Sequence, residues 1–186
     1  EEDITDEEIM QYMQDTYLIS KEKGELAIEI ARREKALLDT LHYEDGYSLY
    51  IGIPFCPTTC LYCSFTSYPI FSWEKRVSEY LTALEKEIDF VSSFYRDKIL
   101  DTIYIGGGTP TTLKAPELER LLSYIEAKLD LSHLQEFTVE AGRADSITRD
   151  KLEVLRKHGV TRISVNPQTM NQKTLDLIGR RHTVEQ

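Results

Sequence analysis

Residues Tyr47 to Cys63 read YSLYIGIPFCPTTCLYC, and this stretch indicates both the fold and the place of the chemistry. Its first nine residues are rich in β-branched and aromatic side chains, which predicts a β-strand. The remainder contains every cysteine of the 186-residue chain, Cys56, Cys60 and Cys63, within eight residues. Three thiols therefore follow directly on the carboxyl end of a predicted strand.

The rest of the chain alternates between strand and helix patterns. After the strand at 47–55, the predicted elements are strands at 101–106, 136–141 and 161–166 and helices at 73–94, 115–129, 147–159 and from 171 onward. This alternation predicts an α/β fold of right-handed βαβ units with a parallel sheet. Four parallel strands cannot close a barrel, so we interpret residues 47–186 as the N-terminal portion of a longer protein, with a small open α/β domain as the alternative. In either architecture, ligands bind at the carboxyl ends of the strands.

Residues 1–46 form a separate acidic leader. They contain fourteen Asp or Glu and five Lys or Arg, a balance of −9, whereas residues 47–186 carry only −1. Leucine and isoleucine recur at helical spacing among these charges, which predicts a moderately amphipathic helix in two pieces, broken near Gly24. We interpret the acidity as a solvated helical face.

The composition argues against several classes of partner. Neither part of the chain supplies the clustered basic face that a nucleic-acid partner needs. The chain has no run of about 18 apolar residues, and its first ten residues are acidic where a targeting peptide would be basic, so no membrane insertion is predicted. We therefore expect a cytoplasmic protein with reduced thiols.

The C-x3-C-x2-C spacing allows three interpretations. Disulfides fit poorly, because the number of cysteines is odd and the expected compartment is reducing. A structural zinc ion takes four closed ligands, and the sequence has no fourth cysteine or neighbouring histidine near this loop. A [4Fe-4S] cluster usually takes four cysteines, so a loop with three leaves one iron free to bind a group that is not protein. The cluster explains the number of thiols best.

Other unusual residues follow the carboxyl ends of the remaining strands. The stretch GGGTPTTL, residues 106–113, lacks the G-K-[ST] of a phosphate loop. By itself it predicts a tight turn, although backbone without Cβ atoms could also approach a ligand closely. Glu140 ends the third predicted strand and Gln168 ends the fourth. Arg180 lies further on, and the adjacent Arg181 is an alternative for the same role. Alone, each of these is typical of a protein surface.

Together these motifs resemble the radical S-adenosylmethionine (SAM) superfamily. The cysteine loop, with the aromatic Tyr62 before its last cysteine, is similar to the cluster loop of that superfamily, in which the open iron binds SAM. The blocks YSLYIGIPFC, CLYCSF, GGGTPTTL and ISVNPQTMNQKTLDLIGRRHT resemble, in order, the oxygen-independent coproporphyrinogen III oxidase family. The versions CPTTCLYCSFTSYPI and EAGRADSIT are most similar to its coproporphyrinogen dehydrogenase Z group. The resemblance covers residues 47–186 and implies the N-terminal part of a partial (βα)6 barrel, truncated after about four βα units.

The resemblance also implies the residues that bind cofactors. Cluster ligation would fall to Cys56, Cys60 and Cys63. A first SAM would contact Tyr50, Gly107 and Glu140. A second SAM, a feature of the family's oxidase, would contact Tyr62, Gly108, Thr109, Gln168 and Arg180. Phe65 is a departure, because some oxidases carry a further cysteine at this position.

The activity implied by the resemblance is the conversion of two propionate side chains of coproporphyrinogen III to vinyl groups in anaerobic haem biosynthesis. The other carboxylates would need anchoring, for which Arg143 is a candidate, although we expect a plain surface residue there. Family members that bind haem without decarboxylation share the same blocks, so a haem chaperone or another radical SAM tetrapyrrole enzyme are alternatives. The sequence does not indicate the electron donor or acceptor, and much of the substrate pocket would lie beyond Gln186.

Overall fold

The computed structural model describes residues 4–65 and 67–185, and the chain divides into two compact units with a boundary between His42 and Tyr43. The helices are α1 (Asp6–Tyr17), α2 (Lys21–Leu38), α3 (Ile70–Trp73), α4 (Val77–Phe94), α5 (Ala115–Lys128), α6 (Arg149–Lys157) and α7 (Gln172–Leu177). The strands are β1 (Gly46–Ile53), β2 (Phe55–Cys56), β3 (Tyr68–Pro69), β4 (Ile99–Gly107), β5 (Glu136–Glu140) and β6 (Arg162–Ser164). Within the described ranges, no helix is both long enough and apolar enough to cross a membrane.

The first unit is a pair of helices whose ends are set by local capping. Thr5 caps α1 and Ser20 caps α2, each by accepting a hydrogen bond from a backbone N–H of the first turn. Helix α1 ends at Tyr17, and the following Leu18 adopts a left-handed conformation with φ of 55° that interrupts the helical path before α2. The predicted break near Gly24 is therefore wrong. Gly24 lies inside α2, where a Cβ would come within 2.3 Å of Met10 Sδ, so the missing side chain makes room for α1.

The second unit is built on a parallel sheet of four strands in the order β1, β4, β5, β6. All three pairings in this sheet are parallel, and the strand order follows the chain order. The connections between the strands contain α4, α5 and α6, as expected for successive βαβ units. The predicted α/β fold with a parallel sheet is confirmed.

The core of this unit lies between one face of the sheet and the connecting helices. The sheet contributes Ile51, Ile53, Ile103, Ile105, Phe137 and Val139 to a single buried cluster. Leucine and isoleucine at helical spacing on α4 and α5 complete the cluster. Each such side chain contributes about 1.5 to 3 kcal/mol by burial. Because side chains alternate along a strand, the intervening residues Tyr50, Tyr104 and Glu140 share the opposite face.

Some boundaries differ from the sequence prediction. The helix predicted at 73–94 begins at Val77, because α3 and a 3₁₀ turn occupy the preceding residues. Strand β6 ends at Ser164, so Gln168 lies in the loop beyond the strand and not at its end. Pro167 precedes it and has no N–H to donate to a ladder. Gln168 itself adopts a left-handed conformation with φ of 69°.

The segment after β1 is joined by hydrogen bonds to the end of β4. The N–H of Gly108 donates to Ile53 O at 2.7 Å, and the N–H of Thr109 donates to Phe55 O at 2.8 Å. Strands β2 and β3 pair with each other and close the intervening cysteine loop at both ends. The loop and the glycine-rich turn are therefore held side by side.

Candidate functional site

One cleft of about 570 Å³ lies where β1, β4 and β5 end and the loop after β6 begins. All the residues predicted from the sequence to bind cofactors line it: Tyr50, Cys56, Cys60, Tyr62, Cys63, Gly107, Gly108, Thr109, Glu140, Gln168 and Arg180. The lining also includes Thr58, Phe65, Ser67, Gly142, Arg143 and Asn166. Motifs from both ends of the α/β unit thus meet in a single cleft.

Cys60 and Cys63 lie in the irregular loop after β2, and Cys56 is the last residue of that strand. Cys56, Cys60 and Cys63 are free and partly buried. The N–H of Cys63 donates to Cys60 O at 3.1 Å, which makes a tight turn between these two cysteines. The N–H of Leu61 and the hydroxyl of Thr58 donate to carbonyls that follow α7, at 3.1 and 3.3 Å. The loop is therefore anchored on its outer side by the end of α7.

A [4Fe-4S] cluster fits this donor set better than a single metal ion does. Within residues 4–65 and 67–185, no three His, Cys, Asp or Glu side chains converge to hold one ion. The ligands of a cluster need no such convergence, because each thiolate binds a different iron atom. Three thiols in one cleft suit three of the four irons and leave the fourth to a ligand within the cleft.

The glycine turn, defined as residues 106–108 at the end of β4, packs closely against the segment that follows β1. Gly107 has φ of +107°, and a Cβ there would lie 2.9 Å from the backbone oxygen at the end of β1. At Gly108, a Cβ would lie 3.0 Å from Cys56 Sγ. The buried Thr109 follows, with its Oγ1 3.5 Å from the same sulfur. Bare backbone therefore approaches the first cysteine, and only glycine permits this approach.

Tyr50, Tyr104 and Glu140 form a row across three adjacent strands. The rings of Tyr50 and Tyr104 stack with centroids 5.7 Å apart, and Tyr104 Oη donates to Glu140 Oε1 at 2.6 Å. This hydrogen bond to the carboxylate raises the pKa of Tyr104 to about 12, and burial adds to the rise. Burial and then the charge of Glu140 also raise the pKa of Tyr50. Near neutral pH both phenols are therefore protonated, and Tyr104 holds Glu140 in place as a donor.

Arg180, rather than Arg181, lines the cleft. Its Nη1 donates to Gly142 O at 2.8 Å, and its Nη2 donates to Tyr62 Oη at 2.9 Å. Its Nε is buried and has no hydrogen-bond partner within the described residues. A buried donor of this kind is uncommon and is suited to an oxygen atom of a bound molecule. Arg181 is exposed, and so is Gln168, which also lines the cleft.

Arg143 is not the surface residue that the sequence predicts. Its side chain is 3% exposed, and its Nε and Nη2 donate to the Asp145 carboxylate at 2.9 and 2.7 Å. Its Nη1 donates to Thr58 Oγ1 at 3.1 Å and to Cys60 Sγ at 3.4 Å. Burial acts to lower the pKa of Arg143, but Asp145 and Cys60 more than offset this and place it above its usual value. The charge can be buried because Asp145 neutralises it.

The sequence does not predict Tyr104 as a partner of Glu140, and it suggests Arg143 only as an anchor for a substrate carboxylate, not as a partner of Cys60. A signal for Tyr104 exists, since the alternation in TIYIG places it on the same face of the sheet as the first glycine of the turn. No comparable signal exists for Arg143, because its partners Thr58 and Cys60 lie more than eighty residues away along the chain.

A family model described as the radical SAM superfamily matches residues 50–186. The matched range contains the four-stranded sheet from Tyr50 onward and every residue that lines the cleft. The chain therefore belongs to the radical SAM superfamily. Membership implies a [4Fe-4S] cluster and SAM, in agreement with the donor set of the cleft.

Several curated relatives have names that refer to coproporphyrinogen or heme. The chain is 44% identical over 174 residues to the oxygen-independent coproporphyrinogen-III oxidase-like protein HemZ of Bacillus subtilis, covering 91% of this chain and 35% of that protein. It is 44% identical over 136 residues to the heme chaperone HemW of Lactococcus lactis, covering 73% of this chain and 34% of that protein. It is 30% identical over 142 residues to the oxygen-independent coproporphyrinogen III oxidase of Salmonella typhimurium, covering 76% of this chain and 31% of that protein.

A solved structure supports the same placement. The coproporphyrinogen III oxidase HemN from Escherichia coli, described as a radical SAM enzyme, matches with a TM-score of 0.66 and 28% identity. The match covers 80% of this chain and 34% of that chain. The expected resemblance and radical SAM fold are confirmed. The chain spans about a third of the length of the relatives that it matches.

Proposed function

We propose that this chain is the cofactor-binding part of a radical SAM oxidoreductase of anaerobic haem biosynthesis, which converts coproporphyrinogen III to protoporphyrinogen IX. The observation that carries the proposal is the single cleft in which the three thiols, the glycine turn and Glu140 meet. In this proposal residues 1–46 are a helical leader, residues 47–186 begin the radical SAM core, and the protein acts in the cytoplasm.

The similarity to HemZ favours a HemZ-type protein over a HemW-type chaperone. That match leaves less than a tenth of the chain unaligned, so it necessarily includes more than half of the residues in the first unit. The match to the heme chaperone HemW of Lactococcus lactis spans only 136 residues at the same identity. A shared leader as well as a shared site supports a HemZ-type protein.

Each group of residues has a distinct duty in the proposed site. Cys56, Cys60 and Cys63, which line the same cleft, would ligate the cluster. A first SAM would contact Tyr50, Gly107 and Glu140, and a second would contact Tyr62, Gly108, Thr109, Gln168 and Arg180. When bound, the cluster and SAM supply the one-electron chemistry of the superfamily.

The polar groups of the cleft suit the polar ends of SAM. Carbonyl oxygens of Gly107 and Gly108, which line the cleft, would accept hydrogen bonds from an ammonium group. Glu140, fixed by the neutral Tyr104, accepts hydrogen bonds from ammonium or hydroxyl groups. The Nε of Arg180, which has no partner within the described residues, would donate to an oxygen atom of the ligand.

In the proposed reaction, each of two propionate groups loses a β-hydrogen atom, carbon dioxide and one electron and so becomes a vinyl group. The oxidants are SAM and an external one-electron acceptor. To test the proposal, the full gene product is reconstituted anaerobically with iron and sulfide and given SAM, a reductant, coproporphyrinogen III and an electron acceptor. We expect 5′-deoxyadenosine and protoporphyrinogen IX, both lost in Cys56→Ala. Absence of both products from the wild-type protein would contradict the proposal.

A second candidate is a haem chaperone with the same cluster and SAM site. The chain is 44% and 43% identical to the heme chaperones of Lactococcus lactis and Bacillus subtilis, equal to or one percentage point below its 44% identity to HemZ. This candidate predicts one bound haem per chain and no decarboxylated product. Another radical SAM enzyme acting on tetrapyrroles would instead be revealed by a different product mass in the same reaction.

A further inference from the structure

We propose that Arg143 positions Cys60 and makes the cluster easier to reduce, by donating an N–H···S hydrogen bond to this cysteine. The inference rests on the proposed ligation of the cluster by the three cysteines. The inference gives Arg143 a role other than the two considered from the sequence, which were anchoring a substrate carboxylate and lying exposed on the surface.

The guanidinium of Arg143 donates hydrogen bonds to two parts of the chain, the Asp145 carboxylate and the cysteine loop. One edge, Nε and Nη2, is held by both carboxylate oxygens of Asp145, whose side chain is itself 14% exposed. The remaining nitrogen, Nη1, is directed to the cysteine loop, where it donates to Thr58 O at 3.3 Å, Thr58 Oγ1 at 3.1 Å and Cys60 Sγ at 3.4 Å. All three guanidinium nitrogens therefore donate to groups of the chain itself.

Hydrogen bonds from Ser146 and Lys151 hold the turn that contains Arg143 in place. Ser146 Oγ donates to Arg143 O at 2.7 Å and lies 2.6 Å from Thr111 Oγ1. The ammonium group of Lys151 donates to Thr111 O and to Ser146 O at 2.6 and 2.9 Å. These bonds fix the backbone of Arg143 to the segment that follows the glycine turn. Arg143, which donates to Cys60, is thus fixed both through its backbone, by Ser146, and through its side chain, by Asp145.

This arrangement affects the electronics of an iron-sulfur cluster. Reduction adds negative charge to the cluster, and a hydrogen-bond donor or positive charge near a ligating sulfur stabilises the reduced form. Arg143 provides both at Cys60, and the low exposure of its side chain limits screening by water. Removal of the guanidinium should therefore disfavour reduction.

The test is a redox titration of the reconstituted full gene product, followed by the electron paramagnetic resonance of the reduced cluster. In Arg143→Gln we expect the ratio of reduced to oxidised cluster at a fixed potential to fall about tenfold, the effect of one charge-assisted hydrogen bond. For a one-electron couple, a tenfold change is about 59 mV. An unchanged titration curve in a loaded Arg143→Gln protein would overturn the inference.

Arg120 offers a matched control. Its guanidinium holds the Glu85 carboxylate through Nε and Nη2 at 2.7 and 2.8 Å, and its Nη1 donates to Ser78 Oγ at 3.1 Å. The same pattern of bonds thus joins α5 to α4 without any contact to a cysteine. Arg120→Gln should leave the titration curve of the cluster unchanged, and a shift as large as that of Arg143→Gln would also overturn the inference.

Asp145→Asn separates an electrostatic role from a merely structural one. It removes a negative charge and leaves Arg143 in place, so we expect the ratio of reduced to oxidised cluster to rise. If the substitutions only loosened the loop, the ratio of reduced to oxidised cluster would change in the same direction in both variants. A fall or no change of this ratio in Asp145→Asn would therefore contradict the inference, even if Arg143→Gln takes up no cluster. A wild-type protein that takes up no cluster would instead overturn the proposed cluster site itself.

Discussion

Replacement of Gly107 by alanine should destabilise the α/β unit by roughly 3 kcal/mol, because two costs add at this position. The φ of +107° strains an L residue by about 1 to 3 kcal/mol. The new Cβ would also lie 2.9 Å from Ile53 O and 3.0 Å from Ile53 N. These atoms belong to strand backbone and cannot move aside as a flexible side chain can, so overpacking costs about 1 to 3 kcal/mol more.

Gly159→Ala is the matched control for this prediction. Gly159 has φ of +70°, but a Cβ there would meet nothing within 4 Å, so only a conformational cost of about 1 kcal/mol remains. Urea unfolding can be followed by the fluorescence of Trp73, the single tryptophan, which packs against the core of the α/β unit. With a slope of about 2 kcal/mol per molar urea, the midpoint should fall by about 1.5 M for Gly107→Ala and about 0.5 M for the control. Equal shifts in the two variants would refute the reasoning.

Two further predictions concern the tyrosine row and the core. The hydrogen bond to Glu140 raises the pKa of Tyr104 from 10.0 to about 12, so above pH 10 the folded chain keeps a proton that the unfolded chain loses. The stabilising contribution of Tyr104 is complete below pH 10 and is lost as the pH rises toward about 12. The difference in unfolding free energy between the wild type and Tyr104→Phe should shrink over this interval, and a difference independent of pH would contradict the assignment. In the core, Leu121→Ala should cost about 2 to 5 kcal/mol, because Leu121 is fully buried on α5. Leu177→Ala, at an exposed position on α7, should change stability by less than about 0.5 kcal/mol, and similar losses in both variants would argue against this assignment of the core.

Most of the α/β unit was predictable from local patterns. The strand stretches are rich in β-branched and aromatic residues, and each helix carries its apolar residues on one face, so element type follows from periodicity. Parallel topology then brings the loops after successive strands to one edge of the sheet. This is why Cys56, Gly107 and Glu140, far apart in sequence, could be predicted to share a site.

The features that escaped prediction depend on contacts between distant residues. Besides the neighbouring Asp145, Arg143 bonds Thr58 and Cys60, which lie more than eighty residues away and which the sequence does not indicate as partners. The break in the leader was misplaced because a glycine inside a helix can serve packing, as Gly24 does against Met10, as well as ending the helix. The capping residue Ser20 marked the true start of α2.

The central claim is that the cleft holds a [4Fe-4S] cluster on three cysteines and leaves one iron for SAM. The most direct measurement is the iron and sulfide content of the anaerobically reconstituted protein, together with the electron paramagnetic resonance of the reduced protein before and after addition of SAM. The claim predicts about four irons and four sulfides per chain, a spectrum that changes when SAM is added, and loss of both in Cys56→Ala. A colourless protein that retains zinc, or a cluster whose spectrum does not respond to SAM, would contradict it.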